Sequence, residues 1–531
     1  MPAMSTDKSL SLARKAVKAN DWPTAHHHCQ TVLEKFPKNK KAAQILLAIK
    51  PQAVPALLKE AQAAQQRQDW ATSESHLEAA AGIAPELPEI RLALATCQLE
   101  VGNFPAALQN AERVLKQQSN HPGALNTKGR ALREMGRGAE AEQAFGAALG
   151  HGKTDVQTWS NLGVLARAQG DRAHAKDCFE RALKLDPGSA TLHHSLAQTL
   201  EEDATQDHVR DMQAVLATKN KDDPATAPLH FGLFKLLDTL NDQDRAFSHL
   251  ERGNALARAA HGTDFNQFAL PFALTKALFT EQVVPTPYDG SLRPIFVIGL
   301  PRTGTSLVER ILSRADGTQP CGELTVVQNA ISKLLKTVMA RAEKALTADD
   351  IAWLQSELTK GYANYSDGSP ILIDKNPLNF RWVGFLAKAF PQAKFVHVSR
   401  DPMAVAWSLY SRLFAGSGNG FAYDINDIAR FMVLHRDLMD HWHSVCPGRV
   451  FELPYSELVT DTATTTKALA AAVDLDWSED WLSPEKSQSQ VLTASSNQVT
   501  KPIYSGSDRA WTDYENQLAP MRAALKSASL I

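Results

Sequence analysis

Residues 299–306 read GLPRTGTS and directly follow the apolar run IFVI. The glycine spacing is that of a Walker A phosphate loop, but Thr305 stands where that loop has the lysine that reaches the β- and γ-phosphates. The amides of residues 302–306 are expected to open a helix and form an anion nest. Arg302 offers a planar fork to one phosphate. The stretch therefore predicts a cradle for a 5′-phosphate without a triphosphate tail, with an ordinary strand-to-helix turn as the alternative.

A second group of polar residues follows the run KFVHV. Arg400 stands at the end of the predicted strand, and Asp401 and Pro402 suit the N-cap and first position of a helix. Ser408 and Arg412 are four residues apart and would share one face of that helix. The pattern predicts a compact second anion site. The alternative is that Arg412 is a solvated charge and Ser408 an incidental helix residue.

With these motifs, the second half of the chain resembles the sulfotransferases that use 3′-phosphoadenosine 5′-phosphosulfate (PAPS). It is most similar to tyrosylprotein sulfotransferases and their bacterial relatives with fused tetratricopeptide repeats, over residues 290–515. The resemblance implies that the loop binds the 5′-phosphosulfate end of the donor, through Arg302, Thr303, Gly304, Thr305 and Ser306. It implies that the 3′-phosphate is bound by Arg400, Ser408 and Arg412.

Three further motifs carry the same resemblance. Lys375 in DKNPLNF occupies the position of the family's catalytic lysine, and Tyr455 in PYSELV that of its nucleotide-contacting tyrosine. The stretch SSNQVTKP resembles the late donor-binding loop, whose residues here are Ser495, which would aid catalysis, Ser496 and Lys501. The expected co-substrate is PAPS, and the scheme requires no metal.

The catalytic base departs from the family pattern, which has an acidic pair after Cys-Gly. This chain reads CGELT, so a strict alignment places the base on Leu324, which cannot take a proton. Glu323 is the nearby carboxylate and is assigned the role instead. Glu323 would accept the proton of an acceptor hydroxyl, while Lys375 and Ser495 stabilise charge on the leaving oxygens.

These motifs need a sheet to position them. The apolar runs PIFVIG, KFVHVSR and RVFELPY are each followed by helical periodicity, which predicts a mostly parallel sheet with helices on both faces. Ligands in such folds bind at the carboxyl ends of the strands, where the motifs fall. The fold expected here is a P-loop-like α/β sulfotransferase domain over residues 291–531, after a linker over 266–290.

The first half of the chain repeats with a period of 34 residues, seen at Gly102, Gly136 and Gly170 and in a parallel series of alanines. This is the tetratricopeptide pattern of stacked helical hairpins, in which a proline stops each second helix. Residues 1–265 are thus predicted to be an all-α solenoid, closed by a degenerate hairpin near residue 257. Its concave surface would recruit a substrate or protein partner, or alternatively serve only for packing or dimerisation.

Composition limits the other functions. A formal net charge of -2 gives no general affinity for nucleic acid or an anionic membrane, and no apolar run is long enough to span a bilayer. The first residues lack the apolar segment of a signal peptide, and five scattered cysteines indicate a reducing compartment. A cytoplasmic location is expected.

Two histidine-rich stretches could suggest a metal site. AHHHC at 25–29 lies in a predicted helix, where consecutive side chains point in different directions. The second stretch has the periodicity of a helix packed on the sheet, with Trp442 buried, and contains His435, Asp437, Asp440, His441 and His443. Helix packing is favoured over metal binding at both.

The sequence thus predicts transfer of a sulfuryl group from PAPS to an acceptor hydroxyl, a tyrosine of a peptide or protein being one candidate. Glycan, lipid and small-metabolite hydroxyls stay open as acceptors. Two alternatives to this function also stay open. One is a P-loop kinase or NTPase, disfavoured by the missing lysine. The other is a nucleotide-binding scaffold without activity, for which the single acid at Glu323 is the main argument.

Overall fold

The computed structural model describes residues 5–67, 69–150, 155–262, 264–414, 417–487, 503 and 506–531. The chain divides into two compact units, Met1–Thr158 and Trp159–Ile531. Each unit is considered by itself below.

The first unit consists of helices that pack in consecutive pairs. Their bounds are α1 Thr6–Lys18, α2 Trp22–Lys35, α3 Lys40–Gln66, α4 Trp70–Ile83, α5 Pro88–Glu100, α6 Phe104–Gln117, α7 Pro122–Glu134 and α8 Gly138–Gly150.

The helical hairpins confirm the predicted 34-residue repeat. Gly102 and Gly136 close turns between paired helices with φ of +74° at both positions. Gly129 of α7 provides the space for the Phe145 ring, because a Cβ there would lie 2.4 Å from a ring carbon. The helices α2, α4 and α10 (Arg172–Leu185) each end two residues before a proline: Pro37, Pro85 and Pro187.

The second unit contains further helices and the sheet. Its helices, besides α10, are α9 Val156–Gln169, α11 Ala190–Leu200, α12 Gln206–Ala217, α13 Ala227–Thr239, α14 Gln243–His261, α15 Asn266–Leu278, α16 Thr305–Leu312, α17 Val326–Met339, α18 Ala348–Ala363, α19 Val383–Ala389, α20 Pro402–Tyr410, α21 Ile425–Val445, α22 Tyr455–Thr460, α23 Thr462–Ala472 and α24 Ala519–Ser527. Its strands are β1 Arg293–Gly299, β2 Thr318–Pro320, β3 Ile371–Asp374, β4 Lys394–Ser399 and β5 Val450–Pro454.

The five strands form one sheet in the order β2-β3-β1-β4-β5, and every pairing is parallel. The central strand β1 is buried from Pro294 to Gly299, as expected for a parallel strand covered on both faces. The predicted fold class, helical repeats followed by a mostly parallel α/β sheet, is confirmed. The strands β2 and β3 did not stand out in the sequence because they have only three and four residues.

The helices α13 and α14 form the closing hairpin predicted near residue 257. The stretch 266–290, predicted to be a linker, includes the helix α15. Phe272 of α15 is buried, and its ring lies 5.7 Å from that of Phe380 and 5.5 Å from that of Phe431. Part of the predicted linker is therefore packed against the sheet-containing region.

Within the described part of the chain, none of the helices is both long and apolar enough to cross a bilayer.

Candidate active site

The predicted phosphate loop is a strand, a tight turn and a helix. β1 ends at Gly299 and α16 begins at Thr305, with Gly304 as its N-cap at a φ of +106°. A Cβ on Gly304 would lie 2.5 Å from the Tyr455 ring, so both the backbone conformation and the close approach require glycine. The amides at the N-terminus of a helix point back along its axis, and here the Leu307 amide donates to the Gly304 carbonyl at 2.9 Å.

The polar side chains of the loop are enclosed. Arg302, Thr303, Thr305 and Ser306 are all buried. Thr303 Oγ1 donates a hydrogen bond of 2.8 Å to the carbonyl of Leu300, which fixes the turn from inside. These buried side chains therefore pack inside the protein, where they stabilise the conformation of the loop.

Arg302 connects the loop with the second anion motif. Its Nε donates to Ser408 Oγ at 2.9 Å, across 106 residues of sequence. The family resemblance assigns these two residues to opposite ends of the donor, whereas the structure places them in contact. Ser408 of the second predicted anion site thus contacts the loop.

Arg400 follows β4 at the carboxyl edge of the sheet, as predicted. Its guanidinium lies 4.7 Å from the centre of the Tyr455 ring, and its Nη1 donates to the Arg302 carbonyl at 2.9 Å. Its Nε donates to Asp508 Oδ1 at 2.6 Å. Sequence reasoning missed Asp508, because a lone acid far along the chain carries no local signal. A phosphate at Arg400 would have to compete with this carboxylate.

The start of α20 agrees with the sequence. Asp401 Oδ1 accepts a hydrogen bond of 2.8 Å from the amide of Ala404, and Pro402 is the first helical residue. The side chain and the proline together fix the helix N-terminus where β4 has just ended. Ser408 lies in the last turn of this helix.

The expectation that Ser408 and Arg412 share one face of a helix is wrong. α20 ends at Tyr410, and the Arg412 amide donates to the carbonyl of Leu409, which tightens the last turn. Arg412 therefore lies beyond the helix. Its Nη1 donates to Gln198 Oε1 of α11 at 3.4 Å.

Lys375 follows β3 and is fully buried. Its Nζ donates to Glu323 Oε1 at 2.6 Å and lies 4.0 Å from Glu309 Oε2. The side chain of Glu323 is 49% exposed, so this carboxylate can meet a ligand from solvent while it contacts the lysine. The predicted catalytic lysine and base are thus brought together.

Leu324, the position that strict alignment gives to the base, is buried in the core. Its carbonyl accepts a hydrogen bond of 3.1 Å from Asn376 Nδ2, which ties the CGELT segment to the DKNPLNF motif. This position is thus enclosed, whereas the Glu323 side chain is about half-exposed.

Glu309 is a further acidic residue of the site, and sequence reasoning missed it. It lies on α16, and its Oε1 accepts a hydrogen bond of 2.8 Å from the amide of Gly322. Burial raises the pKa of Glu309, while the Lys375 charge opposes that rise. A usable signal was the charged pair Glu309 and Arg310 inside the stretch LVERIL, since a buried charge needs a partner.

Asp374 supports Lys375 from the end of β3. Its two carboxylate oxygens accept hydrogen bonds of 2.5 Å from the Tyr362 hydroxyl and 3.1 Å from Asn379 Nδ2. Burial raises the pKa of Asp374 to about 7, although the Tyr362 hydrogen bond favours the charged form. The backbone that carries Lys375 is therefore held by a buried polar network.

Three predicted site residues lie outside the described residues: Ser495, Ser496 and Lys501.

The helix α21 carries the second histidine-rich stretch. His435 Nε2 lies 3.0 Å from His397 Nε2, and burial lowers the pKa of His435. Trp442 is buried as predicted and donates to the Phe380 carbonyl at 2.8 Å. Over the part of the chain that the structure describes, no group of three or more histidine, cysteine or acidic side chains is arranged to hold a metal ion.

Two regions of this chain match models of different protein families. Residues 294–479 match the model described as the sulfotransferase family. Residues 58–122 match a tetratricopeptide repeat, and residues 96–200 match the N-terminal tetratricopeptide region of Psidin. The family match covers the loop, Lys375, the β4 motif and Tyr455.

An Aquifex aeolicus protein described as uncharacterized is 28% identical over 451 residues, which is 82% of this chain and 58% of that protein. Protein-tyrosine sulfotransferase A of Caenorhabditis elegans is 25% identical over 292 residues, or 51% of this chain and 73% of that protein. Among solved structures, the sulfotransferase domain of the Synechococcus PCC 7002 olefin synthase is 22% identical, with a TM-score of 0.32 over 45% of this chain and 98% of that one.

Proposed function

The chain carries a region of the sulfotransferase family after tetratricopeptide repeats, and on this premise we propose that it transfers a sulfuryl group from PAPS to an acceptor hydroxyl. The observation that carries the proposal is the buried Lys375, which contacts Glu323 beside a phosphate loop that lacks the Walker lysine. A base, a cation and an anion cradle are the groups that in-line sulfuryl transfer needs.

The donor would bind along the carboxyl edge of the sheet. The amides at the start of α16 suit its 5′-phosphosulfate, and the Arg302–Ser408–Arg400 cluster supplies positive charge and donors beside them. Arg412 supplies a further cation for the 3′-phosphate. Ser495, Ser496 and Lys501 complete the donor contacts that the family resemblance implies.

In the transfer step, Glu323 accepts the proton of the acceptor hydroxyl as its oxygen forms a bond to sulfur. The bond from sulfur to the bridging oxygen of the 5′-phosphate breaks, and that oxygen leaves with the electron pair. Lys375 stabilises the charge that develops on it, as does Ser495 in the family scheme. Glu309 is a second carboxylate near the Lys375 ammonium and helps to hold it in place.

We propose a tyrosine hydroxyl of a peptide or protein as the acceptor, recruited through the repeats. The support is the likeness to relatives named protein-tyrosine sulfotransferase and the repeat architecture, which commonly presents a binding surface. All five cysteines are free thiols, which supports a reducing compartment such as the cytoplasm.

The function is tested by incubating the purified full chain with PAPS that carries radiolabelled sulfate and a lysate of the native host. Label should pass to discrete acceptors, which mass spectrometry then identifies as tyrosine, glycan, lipid or metabolite. Lys375→Ala is the matched negative control, and a parallel reaction with labelled ATP tests the kinase alternative. Absence of sulfate transfer by the wild type with retained nucleotide binding would support the inactive scaffold instead.

A further inference from the structure

Arg412 depends on a repeat helix for its position. Because α20 ends at Tyr410, Arg412 lies beyond the helix, and its amide donates to the Leu409 carbonyl at 3.3 Å in an i→i−3 bond. Its guanidinium Nη1 donates to Gln198 Oε1 of α11 at 3.4 Å. Residues 96–200, which include α11, match a tetratricopeptide region.

Gln198 is itself held by its neighbour one turn earlier. Its Nε2 lies 3.4 Å from His194 Nε2. Burial and the nearby charges of Arg167 and Arg412 lower the pKa of His194 to about 3, so the ring is neutral at pH 7 and can accept a hydrogen bond. The amide group of Gln198 thus donates to His194 and accepts from Arg412, which fixes the direction of both its ends.

The amide orients Arg412 without neutralising it. Among the described residues, neither a hydrogen bond nor an ion pair joins Arg412 to a carboxylate, and desolvation lowers the pKa of this arginine. Arg400, by contrast, is paired with Asp508. A partly desolvated guanidinium oriented by a neutral group keeps its charge for an anionic ligand.

The helices α13 and α14, which follow the matched repeats, hold the end of α20. Asn254 Nδ2 of α14 donates to the Tyr410 carbonyl at 3.0 Å, which satisfies one of the last carbonyls of the helix. The ring of Phe234 on α13 lies 6.0 Å from that of Trp407, in an edge-on arrangement. Both flanks of Ser408 on α20 are therefore fixed by helices that precede the sheet.

We infer that the repeat helix α11 completes the donor's 3′-phosphate site, with Gln198 as a positioning residue that acts through Arg412. The inference rests on the proposed PAPS-dependent function. The ligand class is a nucleotide with a 3′-phosphate in addition to its 5′-phosphate group. The repeats would then serve donor binding directly, in addition to any recruitment of acceptors.

The test is calorimetry on the full chain with two probes, 3′-phosphoadenosine 5′-phosphate (PAP) and 5′-AMP, which lacks the 3′-phosphate. Gln198→Ala should weaken PAP binding about tenfold, the value expected for a lost hydrogen bond to a charged group, and leave 5′-AMP binding unchanged. Gln198→Glu should weaken PAP binding further, because its carboxylate would compete with the phosphate for Arg412. Gln117→Glu, an exposed position of α6, adds the same charge elsewhere as a control.

A double-mutant cycle shows whether Gln198 acts through Arg412. In an Arg412→Ala background, Gln198→Ala should cause no further loss of PAP affinity. An equal loss in both backgrounds, or an equal loss for PAP and 5′-AMP, would overturn the inference. If the wild type binds PAP no more tightly than 5′-AMP, the proposed donor is wrong and the inference is overturned with it. If the wild type prefers PAP over 5′-AMP and the Gln198 variants keep the same preference by the same factor, the inference alone is wrong.

Discussion

Lys375 and Arg412 are both partly or wholly enclosed cations of the sheet-containing unit, but their surroundings differ in charge. Lys375 contacts the carboxylate of Glu323 and lies near that of Glu309. Arg412 contacts the neutral amide of Gln198. A cation between carboxylates suits a proton and charge rearrangement, whereas a cation oriented by an amide suits the binding of an anion. We therefore expect Lys375 to control the rate of sulfuryl transfer and Arg412 to control the affinity for the nucleotide.

The largest effect is expected at Lys375. Lys375→Ala should lower the rate of sulfuryl transfer on the order of 10²–10³-fold, as for loss of a donor at a developing oxyanion. Affinity for PAP should change by less than about threefold, because the rate-controlling charge develops only in the transition state. Stopped assays of PAP release and calorimetry with PAP measure the two quantities.

Lys336→Ala is the matched control for that variant, since Lys336 is an exposed lysine of α17. It should leave both quantities unchanged. A Lys375→Ala protein that turns over at the wild-type rate would remove the proposed role of this lysine.

The next effect is expected at Arg412. Arg412→Ala should weaken PAP binding about 30-fold, because truncating a partner of a buried charged contact costs roughly 2 kcal/mol or more. The transfer rate at saturating PAPS should stay close to that of the wild type. Rates measured over a range of PAPS concentrations separate the two. If Arg412→Ala instead lowers the transfer rate at saturating PAPS and binds PAP normally, Arg412 acts on the rate as Lys375 does, and the proposed difference between them is wrong.

Glu309→Gln should have a smaller effect, about a tenfold lower transfer rate with unchanged PAP affinity, in the range typical of one hydrogen-bond or charge contact. The glutamine keeps the acceptor for the Gly322 amide but removes the second anion near Lys375. The lysine would then pair more tightly with Glu323 and make it a weaker base. Glu309→Ala, which also loses the Gly322 hydrogen bond, is the comparison variant. Equal rates for wild type and Glu309→Gln would show that the second carboxylate has no role in transfer.

The smallest effect on transfer is expected at Asp374, because in Asp374→Asn the side chain keeps an oxygen that can accept the Tyr362 hydrogen bond. Its signature is instead the pH dependence of stability. Its pKa is raised from 3.8 to about 7 in the folded chain, so the folded state binds the additional proton between these values.

The free energy of unfolding of the wild type should therefore fall relative to Asp374→Asn as the pH rises from about 4 to 7, and the two should run parallel above pH 7. Asparagine mimics the protonated carboxyl and does not titrate. Urea unfolding at several pH values measures this difference. Parallel curves throughout would mean that the pKa of Asp374 is the same in the folded and the unfolded chain.

The sequence predicted those parts of the site whose structure is determined by residues close together in the chain. The loop from β1 to α16, the Asp401 cap and the strands β1, β4 and β5 follow from residue type and spacing within a few positions. The 34-residue repeat likewise follows from small and large residues that alternate at one helical interface.

Contacts between distant segments could not be predicted in this way. Asp508 on Arg400 and Gln198 on Arg412 join residues more than 100 positions apart, and no motif marks either partner. The end of α20 before Arg412 was also missed, because nothing in WSLYSRLF interrupts helical periodicity. Beyond that ending, the Arg412 side chain contacts Gln198 of α11.

The central claim, a site for a nucleotide with a 3′-phosphate, is tested most directly by calorimetry on the wild-type chain with PAP, 5′-AMP and ATP. The proposed function predicts that PAP binds at least tenfold more tightly than either of the other two, because Arg412 would meet the 3′-phosphate while the loop lacks the lysine for a triphosphate. ATP binding as tight as PAP binding would contradict it.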